Sequence, residues 1–477
     1  MNARTVFVSG NFNVLHPGHL RLLRFAKEYG AHLTVGVVSD RLAGSAAHVP
    51  EQMRLEGVQS NSWVDEALIV DEPISDAIAR LRPDFVVKGK EHESRFNPES
   101  AALERYGGKL LFSSGETIFS SLDLIRKEFK DFDSRSIGLP REYLARHCIE
   151  QQRLISLATQ FSNLKVCVVG DLIVDEYITC QPLGMSQEDP TIVVTPIDSI
   201  RFIGGAGIVA AHAAGMGASV HLLTIAGADA AREFAAKAIS EANVQGLLLV
   251  DDSRPTTLKQ RFRCKGKSLL RVSHLHQGAI SVGLQAQILA ELNRILDDID
   301  VLVFSDFNYG CLPQSLVDKM IQTAEERGVM MAADSQSSSQ VGDISRFHGM
   351  ALLTPTEREA RISTRNHEDG LVVLAEALRR QSSAKSILLK LGEEGLLIHA
   401  GMGEDNDWLT DRVSALNSAP KDVAGAGDSL LITSALTLAS GGTIWEAACL
   451  GSLAAAVQVG RVGNTPIDID ELLRELS

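Results

Sequence analysis

Paired cysteines and long hydrophobic runs are absent from this chain of 477 residues. The six cysteines lie far apart, with no CxxC pair and no zinc-like spacing with histidine, so we expect reduced thiols rather than a disulfide or zinc framework. No run of about 18 uninterrupted apolar residues is present, which argues against a membrane span. Arg4 precedes a short strand-like run instead of a long apolar segment, so the beginning does not resemble a signal peptide. We therefore expect a cytoplasmic protein.

The chain also lacks an excess of positive charge. Its formal net charge of -14 argues against a general nucleic-acid surface or an anionic membrane as partner, but it allows a local basic pocket for small charged substrates. A hydrophobic content of 45% with 22% charged residues is typical of globular domains with sizeable cores. At about 100 to 200 residues per domain, the length indicates two or three domains.

Short apolar runs alternate with helical patterns along two stretches of the chain. In residues 1–130 the order predicts a parallel sheet covered by helices on both faces, a Rossmann-like arrangement typical of nucleotide binding. Residues 131–163 begin charged, turn at a Gly-Leu-Pro and continue as one amphipathic helix, which predicts a helical linker. A second series of strands and helices fills residues 164–477. The predicted fold class is α/β, with two domains joined by the linker.

The segment SGNFNVLHPGHLRLLRFAKEYG follows the first predicted strand and enters an amphipathic helix. A helix that begins near Gly18 presents free N–H groups and a positive dipole end, which attract an anion. His16 and His19 project there and can stabilise a phosphorus centre under attack. The alternative is that both histidines are ordinary turn residues. Their spacing from Gly10 and Phe12, directly after a strand, favours a role in phosphoryl or nucleotidyl transfer.

This segment resembles the signature of the cytidylyltransferase-like nucleotidyltransferases, and its closest likeness is to the sugar-1-phosphate nucleotidyltransferase domain of bifunctional heptose enzymes. Arg54 stands where that family has an arginine. The resemblance implies that Lys88, in RPDFVVKGKEH, contacts substrate or triphosphate, and that Ser120 and Ser121, in ETIFSSLDLIRK, hold phosphate. Taken singly, these residues also fit a solvated strand end or a helix N-cap. Asn13 replaces the usual aspartate, and GKEH replaces a Gly-Gly-Asp or similar segment.

A second turn of small residues, DVAGAGDS, precedes a helix near the other end of the chain. Its N–H groups converge on the helix start and form an anion hole for a phosphoryl group. Asp428 at that start can accept the proton of an attacking sugar hydroxyl as a general base. The alternative is a glycine-rich turn capped by aspartate. The phosphate-binding positions of this turn are Ala424, Gly425, Ala426 and Gly427.

This turn resembles the signature of the ribokinase-like carbohydrate kinases, also called the PfkB family, and the likeness extends over residues 164–477. The nearest match is to heptose 7-phosphate kinases, which phosphorylate an anomeric hydroxyl. The resemblance implies nucleotide-binding roles for Gly392 and Gly395 and a water-mediated magnesium role for Glu359. The implied sugar-binding residues are Asp171, Asp175, Gly204, Gly205, Lys259, Arg271 and Asp306. On spacing alone, the two basic residues of this set fit outward strand charges equally well.

Several positions depart from the kinase pattern. Ile208 follows the glycine pair where asparagine is usual, and Tyr309 replaces the usual lysine before a glycine. DSQS after Ala333 replaces Asp-Pro-Lys, and Thr356 takes an asparagine position. The sugar-binding side is altered more than the phosphoryl-transfer side, which indicates a modified substrate.

Together the two resemblances imply a bifunctional kinase and nucleotidyltransferase for a nucleotide-activated heptose of cell-surface polysaccharide. The bifunctional heptose enzymes carry the kinase first, and this chain has the opposite order. The expected small molecules are a sugar phosphate and ATP with Mg²⁺, and CTP is the alternative donor for the N-terminal domain. Analogy with ribokinase-like kinases favours a homodimer. A rival hypothesis is that one domain has lost catalysis and serves as a ligand-sensing scaffold.

Overall fold

The computed structural model divides the chain into two compact units. The first lies within Met1–Ser134 and His367–Leu374, and the second within Arg135–Asn366 and Ala375–Ser477. The described residues are 4–13, 15, 17–44, 47, 49–89, 97–113, 137–186, 188–189, 191–264, 267–337, 342–401 and 409–476.

The first unit contains a five-stranded parallel sheet with the strand order β3-β2-β1-β4-β5. Its strands are β1 (Thr5–Gly10), β2 (His32–Val38), β3 (Glu66–Val70), β4 (Phe85–Gly89) and β5 (Lys109–Ser113). Its helices are α1 (Pro17–Tyr29), α2 (Asp40–Ala43), α3 (Glu51–Gln59), α4 (Ile74–Leu81) and α5 (Glu99–Glu104). Alternate residues of β1 enter different cores, with Val6 and Val8 on one face and Phe7 on the other. The sheet is covered on both faces, so the predicted Rossmann-like architecture is confirmed.

The second unit is built on a nine-stranded sheet with the order β10-β9-β6-β13-β14-β15-β16-β17-β18. The strands up to β16 are parallel, and β17 and β18 are antiparallel additions at one edge. They are β6 (Lys165–Gly170), β9 (Ser219–Ala226), β10 (Gln245–Val250), β13 (Val301–Asp306), β14 (Met330–Ser335), β15 (Leu352–Leu353), β16 (Ser386–Lys390), β17 (Leu396–Ala400) and β18 (Leu409–Val413). Burial on both faces explains their continuous apolar runs.

Helices accompany these strands along the chain, as the alternating pattern predicts. They are α6 (Arg141–Arg146), α7 (Gln151–Thr159), α8 (Ala206–Gly215), α9 (Ala230–Glu241), α10 (Val282–Ile295), α11 (Gln314–Glu326), α12 (Glu357–Thr364), α13 (Leu371–Ser382), α14 (Ala426–Ala439), α15 (Ile444–Val459) and α16 (Ile469–Glu475). Short 3₁₀ turns lie at Gln160–Asn163, Leu296–Asp298, Ile344–Arg346 and Gly392–Glu394. The α/β fold class is confirmed for this unit too.

A separate four-stranded sheet, which the sequence pattern did not predict, has the order β12-β11-β7-β8. Its strands are β7 (Leu172–Met185), β8 (Ile192–Gly205), β11 (Thr257–Cys264) and β12 (Lys267–His274). The run KVCVVGDLIVD reads as one element, but the chain turns after Gly170 and leaves the large sheet. A Cβ at Gly170 would clash with the Ser305 backbone of the neighbouring strand. This close approach requires glycine where the two sheets meet.

The predicted single helix before residue 163 is wrong, because the structure contains two helices there, α6 and α7. Cys148 has a φ of 52°, a left-handed conformation that ends the first helix. Both helices pack into the core of the second unit, in which Tyr143, Leu154 and Phe161 are fully buried. The segment therefore contributes to a core as well as connecting sequence stretches.

The six cysteines are free, as expected from their spacing. Among the helices within the described ranges, none is long and apolar enough to cross a membrane.

Candidate active sites

The first candidate site lies at the carboxyl ends of β1 and β4. The chain proceeds from β1 to one side of the sheet and returns to β4 on the other side, so these adjacent strands form a topological switch point, where open α/β sheets bind ligands. Gly10 ends β1, and Gly18 lies in the first turn of α1. A Cβ at Gly10 would lie 3.2 Å from the Phe12 ring, and Phe12 itself has a φ of 49°. The loop thus folds tightly over the strand end.

Aromatic packing holds one of the two predicted histidines. The rings of His19 and the buried Phe12 have centroids 5.1 Å apart, which orients the imidazole at the start of α1. His16, Ser120 and Ser121 lie outside the described residues.

Lys88 is the last residue but one of β4, beside the switch point, but its ammonium group is paired. Lys88 Nζ lies 2.9 Å from both Asn97 Oδ1 and Glu99 Oε1. Arg54 is 2% exposed and donates to the backbone carbonyls of Asn11 and Val38, so it braces the loops around the strand ends. Both cations predicted from the family pattern therefore have protein partners in this structure.

The second candidate site is centred on the glycine turn before α14. Gly425 has a φ of 79°, and a Cβ there would clash with Asn464 Oδ1. Asp422 accepts a hydrogen bond from Ala424 N, while Gln458 Nε2 donates to the Ala424 carbonyl. These contacts fix the turn at the cleft beside the start of α14, where free backbone N–H groups can bind an anion.

Asp428 lies in the first turn of α14 and is 5% exposed. Gln336 Nε2 is 3.5 Å from its Oδ1. Burial and the nearby Asp334 carboxylate raise the pKa of Asp428 to about 7, although the Lys390 ammonium opposes them. A carboxyl group with a pKa near 7 suits a general base at neutral pH. The structure therefore places Asp428 and the turn together as the sequence predicts.

Asp334 and Lys390 form a charge pair in this cleft that the sequence analysis missed. Lys390 Nζ lies 3.0 and 2.9 Å from the two Asp334 oxygens. The signal in the sequence is a single lysine after the apolar run Ile387–Leu389, at the carboxyl end of a strand that pairs in parallel with β15. That end of a strand faces the ligand side of an α/β sheet.

Asp171 follows β6 and Asp306 is the last residue of the adjacent strand β13, at the switch point of the large sheet. Both carboxylates accept hydrogen bonds from within the unit. Asp171 accepts from the backbone N–H groups of Phe307, Tyr309 and Cys311. Burial and the Asp306 charge raise the pKa of Asp171 to about 6, against these hydrogen bonds.

The Asp306 carboxylate has its own set of partners. It pairs with Arg346 at 2.9 Å and accepts from the Ser335 hydroxyl at 2.7 Å. The two carboxylates, Asp171 and Asp306, therefore hold the loop that follows β13.

Asp175 lies on β7 and points toward the glycine turn. Asn464 Nδ2 is 3.5 Å from its Oδ2, and its Oδ1 is buried without a hydrogen-bond partner among the described residues. A Cβ at Gly204 would lie 2.6 Å from Asp175 Oδ2, while Gly205 has a φ of 59° and is the N-cap residue of α8. The predicted glycine pair thus gives the Asp175 carboxylate room.

One face of the four-stranded sheet carries a cluster of cations. Lys259 and Arg261 alternate along β11 and so share a face, and Arg271 lies directly opposite Arg261. Lys259 Nζ is 4.8 Å from the Phe307 ring centroid and 5.1 Å from that of Tyr309. We call Lys259, Arg261 and Arg271 the cationic face.

This face is adjacent to Asp175. Arg261 Nη2 lies 3.7 Å from Asp175 Oδ1, and its Nε is buried without a described partner. The Tyr309 hydroxyl is also buried and unpartnered among the described residues. Lys259 and Arg271, which the sequence predicted to bind the substrate, therefore lie close to Arg261 and Tyr309. The sequence analysis assigned no binding role to Arg261 or Tyr309.

Glu359 lies in the first turn of α12 and forms a capping box with Thr356, the residue that caps the helix. Glu359 Oε2 accepts from Thr356 N at 2.7 Å, and its Oε1 accepts from Ser337 N at 3.0 Å. Each oxygen keeps a lone pair, which suits contact with a metal-bound water better than direct metal ligation. Within the described part of the chain, no group of three His, Cys, Asp or Glu side chains is placed to hold a metal ion.

Gly392 and Gly395 form the turn between β16 and β17, with φ values of 63° and 90°. The Leu391 N–H donates to the Gly395 carbonyl at 2.9 Å. The turn follows Lys390 directly, so it lies at the same sheet edge as the predicted phosphate site.

One α/β unit has a turn and a helix after a central strand at a switch point, and the other has a glycine turn before a helix that carries a buried aspartate. Together these features are typical of a nucleotide-dependent transferase. A family model described as pfkB family carbohydrate kinase matches residues 163–470, and the chain belongs to that family. A second model, described as cytidylyltransferase-like, matches residues 7–111. The predicted order of the two families along the chain agrees with these matches.

Curated relatives carry the name bifunctional protein HldE. The protein from Helicobacter hepaticus is 29% identical over 314 residues, which cover 65% of this chain and 63% of the relative. The one from Syntrophotalea carbinolica is 26% identical over 329 residues, 68% of this chain and 65% of the relative. The chain thus spans slightly less than two thirds of the relatives it matches, and the resemblance to a bifunctional family is confirmed.

Solved structures share the fold of the larger unit. Phosphofructokinase-2 from Escherichia coli, in complex with substrates and products, gives a TM-score of 0.53 at 17% identity, over 66% of this chain and 98% of that structure. Ribokinase from Arabidopsis thaliana, complexed with ribose and ATP, gives 0.52 at 17% identity, over 66% and 99%. At this identity the likeness establishes the ribokinase-like fold.

Proposed function

We propose that this chain phosphorylates the anomeric hydroxyl of a heptose phosphate with ATP and then transfers a nucleotidyl group to the resulting sugar 1-phosphate. The product is a nucleotide-activated heptose for cell-surface polysaccharide, made with release of pyrophosphate. The observation that carries the proposal is the buried Asp428 at a fixed glycine turn, opposite Asp175 and the cationic face. Relatives named as bifunctional HldE proteins support the pairing of two activities.

In the kinase reaction Asp428 takes the proton of the anomeric hydroxyl while the sugar oxygen attacks the γ-phosphorus of ATP. The bond between phosphorus and the ADP oxygen breaks as the new O–P bond forms. The N–H groups of Gly425 and Gly427 hold the phosphoryl oxygens, while that of Ala424 fixes the turn by donating to Asp422. The site thus works by positioning and by charge stabilisation. Asp175 positions the sugar through Oδ1, which accepts no hydrogen bond from the described residues, and Gly204 and Gly205 leave room for that contact.

The cationic face supports a phosphorylated acceptor. Arg261 and Arg271 lie directly opposite each other, and like charges so placed repel. A phosphate between them would relieve this repulsion and would give Arg261 Nε an acceptor. Lys259 lies on the same face between two aromatic rings, near the acceptor end of the site. Asp171 and Asp306 act on the sugar indirectly, by holding the loop that contains Tyr309.

Mg²⁺ bound to ATP would neutralise the triphosphate charge. Glu359 would bind a water molecule of this ion, because its carboxylate oxygens keep free lone pairs. Few direct protein ligands are needed, since the phosphate oxygens of ATP would coordinate the metal. Gly392 and Gly395 line the nucleotide side of the cleft in this proposal.

For the nucleotidyltransferase we propose that His16 and His19 stabilise the α-phosphorus during attack by the sugar 1-phosphate. Gly10, Phe12 and Gly18 shape the loop that receives the triphosphate, and Lys88, Ser120 and Ser121 hold its phosphates. ATP is the proposed donor and CTP the alternative. The position of the β1 and β4 ends at a switch point supports this site.

A second candidate function for the N-terminal domain is nucleotide sensing without catalysis. The pairing of Lys88 with Glu99 favours it, because a neutralised lysine attracts triphosphate less strongly.

We further propose domain limits of 1–130 and 164–477 with a helical connection at 131–163, a cytoplasmic location and a homodimeric state. The six cysteines, none of which forms a disulfide, support the location.

A product assay by mass spectrometry tests the two activities. The purified chain would receive Mg²⁺, ATP or CTP, and a panel of heptose and hexose phosphates. We expect Asp428→Asn to abolish sugar phosphorylation alone and His16→Ala to abolish nucleotidyl-sugar formation alone. Asp298→Asn and His32→Ala are matched controls, because both residues lie exposed on the surface. Absence of either reaction across the whole panel in the unaltered chain would refute that half of the proposal.

A further inference from the structure

Lys390 places an ammonium group against the first turn of α14. The strand residues before it are buried, so its position at the end of β16 is rigid. A Cβ at Gly427 would lie 3.2 Å from Lys390 Nζ, which locates the ammonium beside the predicted phosphate site. Asp334 accepts two hydrogen bonds from Nζ. An ammonium group has three donors, and the described residues provide no acceptor for the third.

We propose that Lys390 contacts the transferred γ-phosphoryl group and neutralises the charge that develops on its oxygens. The inference rests on the kinase reaction proposed above. In that step the sugar oxygen bonds to phosphorus, the bond to the ADP oxygen breaks, and the proton of the hydroxyl passes to Asp428. Lys390 stays protonated throughout, because it contributes charge and a hydrogen bond.

Three carboxylates keep the lysine charged. Burial alone would lower the pKa of Lys390, but Asp334, Glu359 and Asp428 together hold it above its ordinary value. Asp334 also fixes the ammonium before substrate arrives, so little reorganisation is needed when charge develops on the phosphate. A preorganised donor of this kind stabilises a transition state more than a mobile surface lysine does.

The position of this lysine also explains a departure from the family pattern. The usual Asp-Pro-Lys is Asp334, Ser335 and Gln336 in this chain, so the lysine of that motif is missing. Gln336 still reaches Asp428, at 3.5 Å, but carries no charge. Lys390 brings a cation to the same cleft from a different strand, and it is paired with the aspartate that the motif retains. Lys390 therefore supplies the positive charge that the lysine of the Asp-Pro-Lys motif usually provides.

The test is the double variant Lys390→Met/Asp334→Asn, which removes the ammonium without leaving a buried carboxylate unpaired. We expect its kcat for sugar phosphorylation to fall roughly 100-fold or more, with KM for the sugar nearly unchanged. Asp334→Asn alone keeps the ammonium, so its kcat should fall less than tenfold. Lys385→Met is the matched control, since this exposed lysine lies just before the other end of the same strand. Equal kcat values for the double variant and the unaltered chain would overturn the proposal.

A binding measurement separates this inference from the choice of sugar. Calorimetry with MgADP and aluminium fluoride, which imitates a transferring phosphoryl group, requires no sugar turnover. We expect aluminium fluoride to tighten MgADP binding in the unaltered chain and in Lys385→Met, but not in the double variant. Tightening that persists in the double variant would refute the role of Lys390. If no sugar is phosphorylated but the tightening depends on Lys390, the proposed substrate is wrong and the role of the lysine stands.

Discussion

The raised pKa of Asp428 predicts that removing its charge stabilises the second unit at alkaline pH. The carboxyl group has a pKa of about 7 in the folded chain and an ordinary value of 3.8. Between these values the folded state binds one more proton than the unfolded state, so stability falls as the pH rises. Above pH 7 the charged carboxylate costs roughly 4 kcal/mol, at about 1.4 kcal/mol per pH unit. Asparagine has the same shape without the charge.

We therefore expect Asp428→Asn to be more stable than the unaltered chain by about 2 kcal/mol at pH 5 and by about 4 kcal/mol at pH 8.5. For a unit of this size these free energies correspond to shifts in Tm of roughly 3 °C and 6 °C. Differential scanning calorimetry at a series of pH values measures the shift. Because the two units can unfold separately, the transition that moves with the substitution is the one to compare.

Asp411→Asn is the control with the opposite sign. Burial raises the pKa of Asp411, but hydrogen bonding to His147 and the charge of Arg146 outweigh burial and hold it below its ordinary value. This carboxylate stabilises the fold at neutral pH and loses that contribution as the pH falls, so its asparagine variant should be destabilised most at high pH. If Asp428→Asn lowered Tm at pH 8.5, or changed it equally at both pH values, the electrostatic reasoning would be refuted.

Three further substitutions test other parts of the two sites. Gly425→Ala should cost about 1–3 kcal/mol of stability and abolish sugar phosphorylation. The reason is that φ is 79° there and a Cβ would clash with the buried amide oxygen of Asn464. An unchanged Tm and kcat would contradict this prediction. Glu99→Gln should remove the charged partner of Lys88 and lower KM for the nucleoside triphosphate severalfold in nucleotidyl transfer. A higher KM would show that the ion pair is needed intact. Arg261→Ala should raise KM for a phosphosugar about 10- to 100-fold but not for the unphosphorylated sugar. Arg201→Ala, on the other face of the same sheet, is its control. Equal changes in KM for the two variants would show that the cationic face does not bind the sugar phosphate.

Local patterns in the sequence were sufficient for the architecture and for the two turns. Alternating strands and helices predicted the parallel sheets, and small residues before a helix predicted the bend at Gly425. Such features depend on neighbours within a few residues, through backbone conformation and burial periodicity. The four-stranded sheet escaped prediction, because the turn after Gly170 depends on a strand more than 100 residues away.

Which polar groups are free for a ligand was decided only by the tertiary structure. Asp171 and Asp175 look equivalent in the sequence. However, Asp171 is hydrogen-bonded to a distant backbone loop, whereas Asp175 Oδ1 accepts no hydrogen bond from the described residues. Lys88 finds a carboxylate on a following helix, and Lys390 finds one on a distant strand beside Asp428. Short segments of the sequence are therefore enough to identify the residue types of a site. Their charge state and availability follow from burial and from partners that only the folded chain brings within a few ångströms.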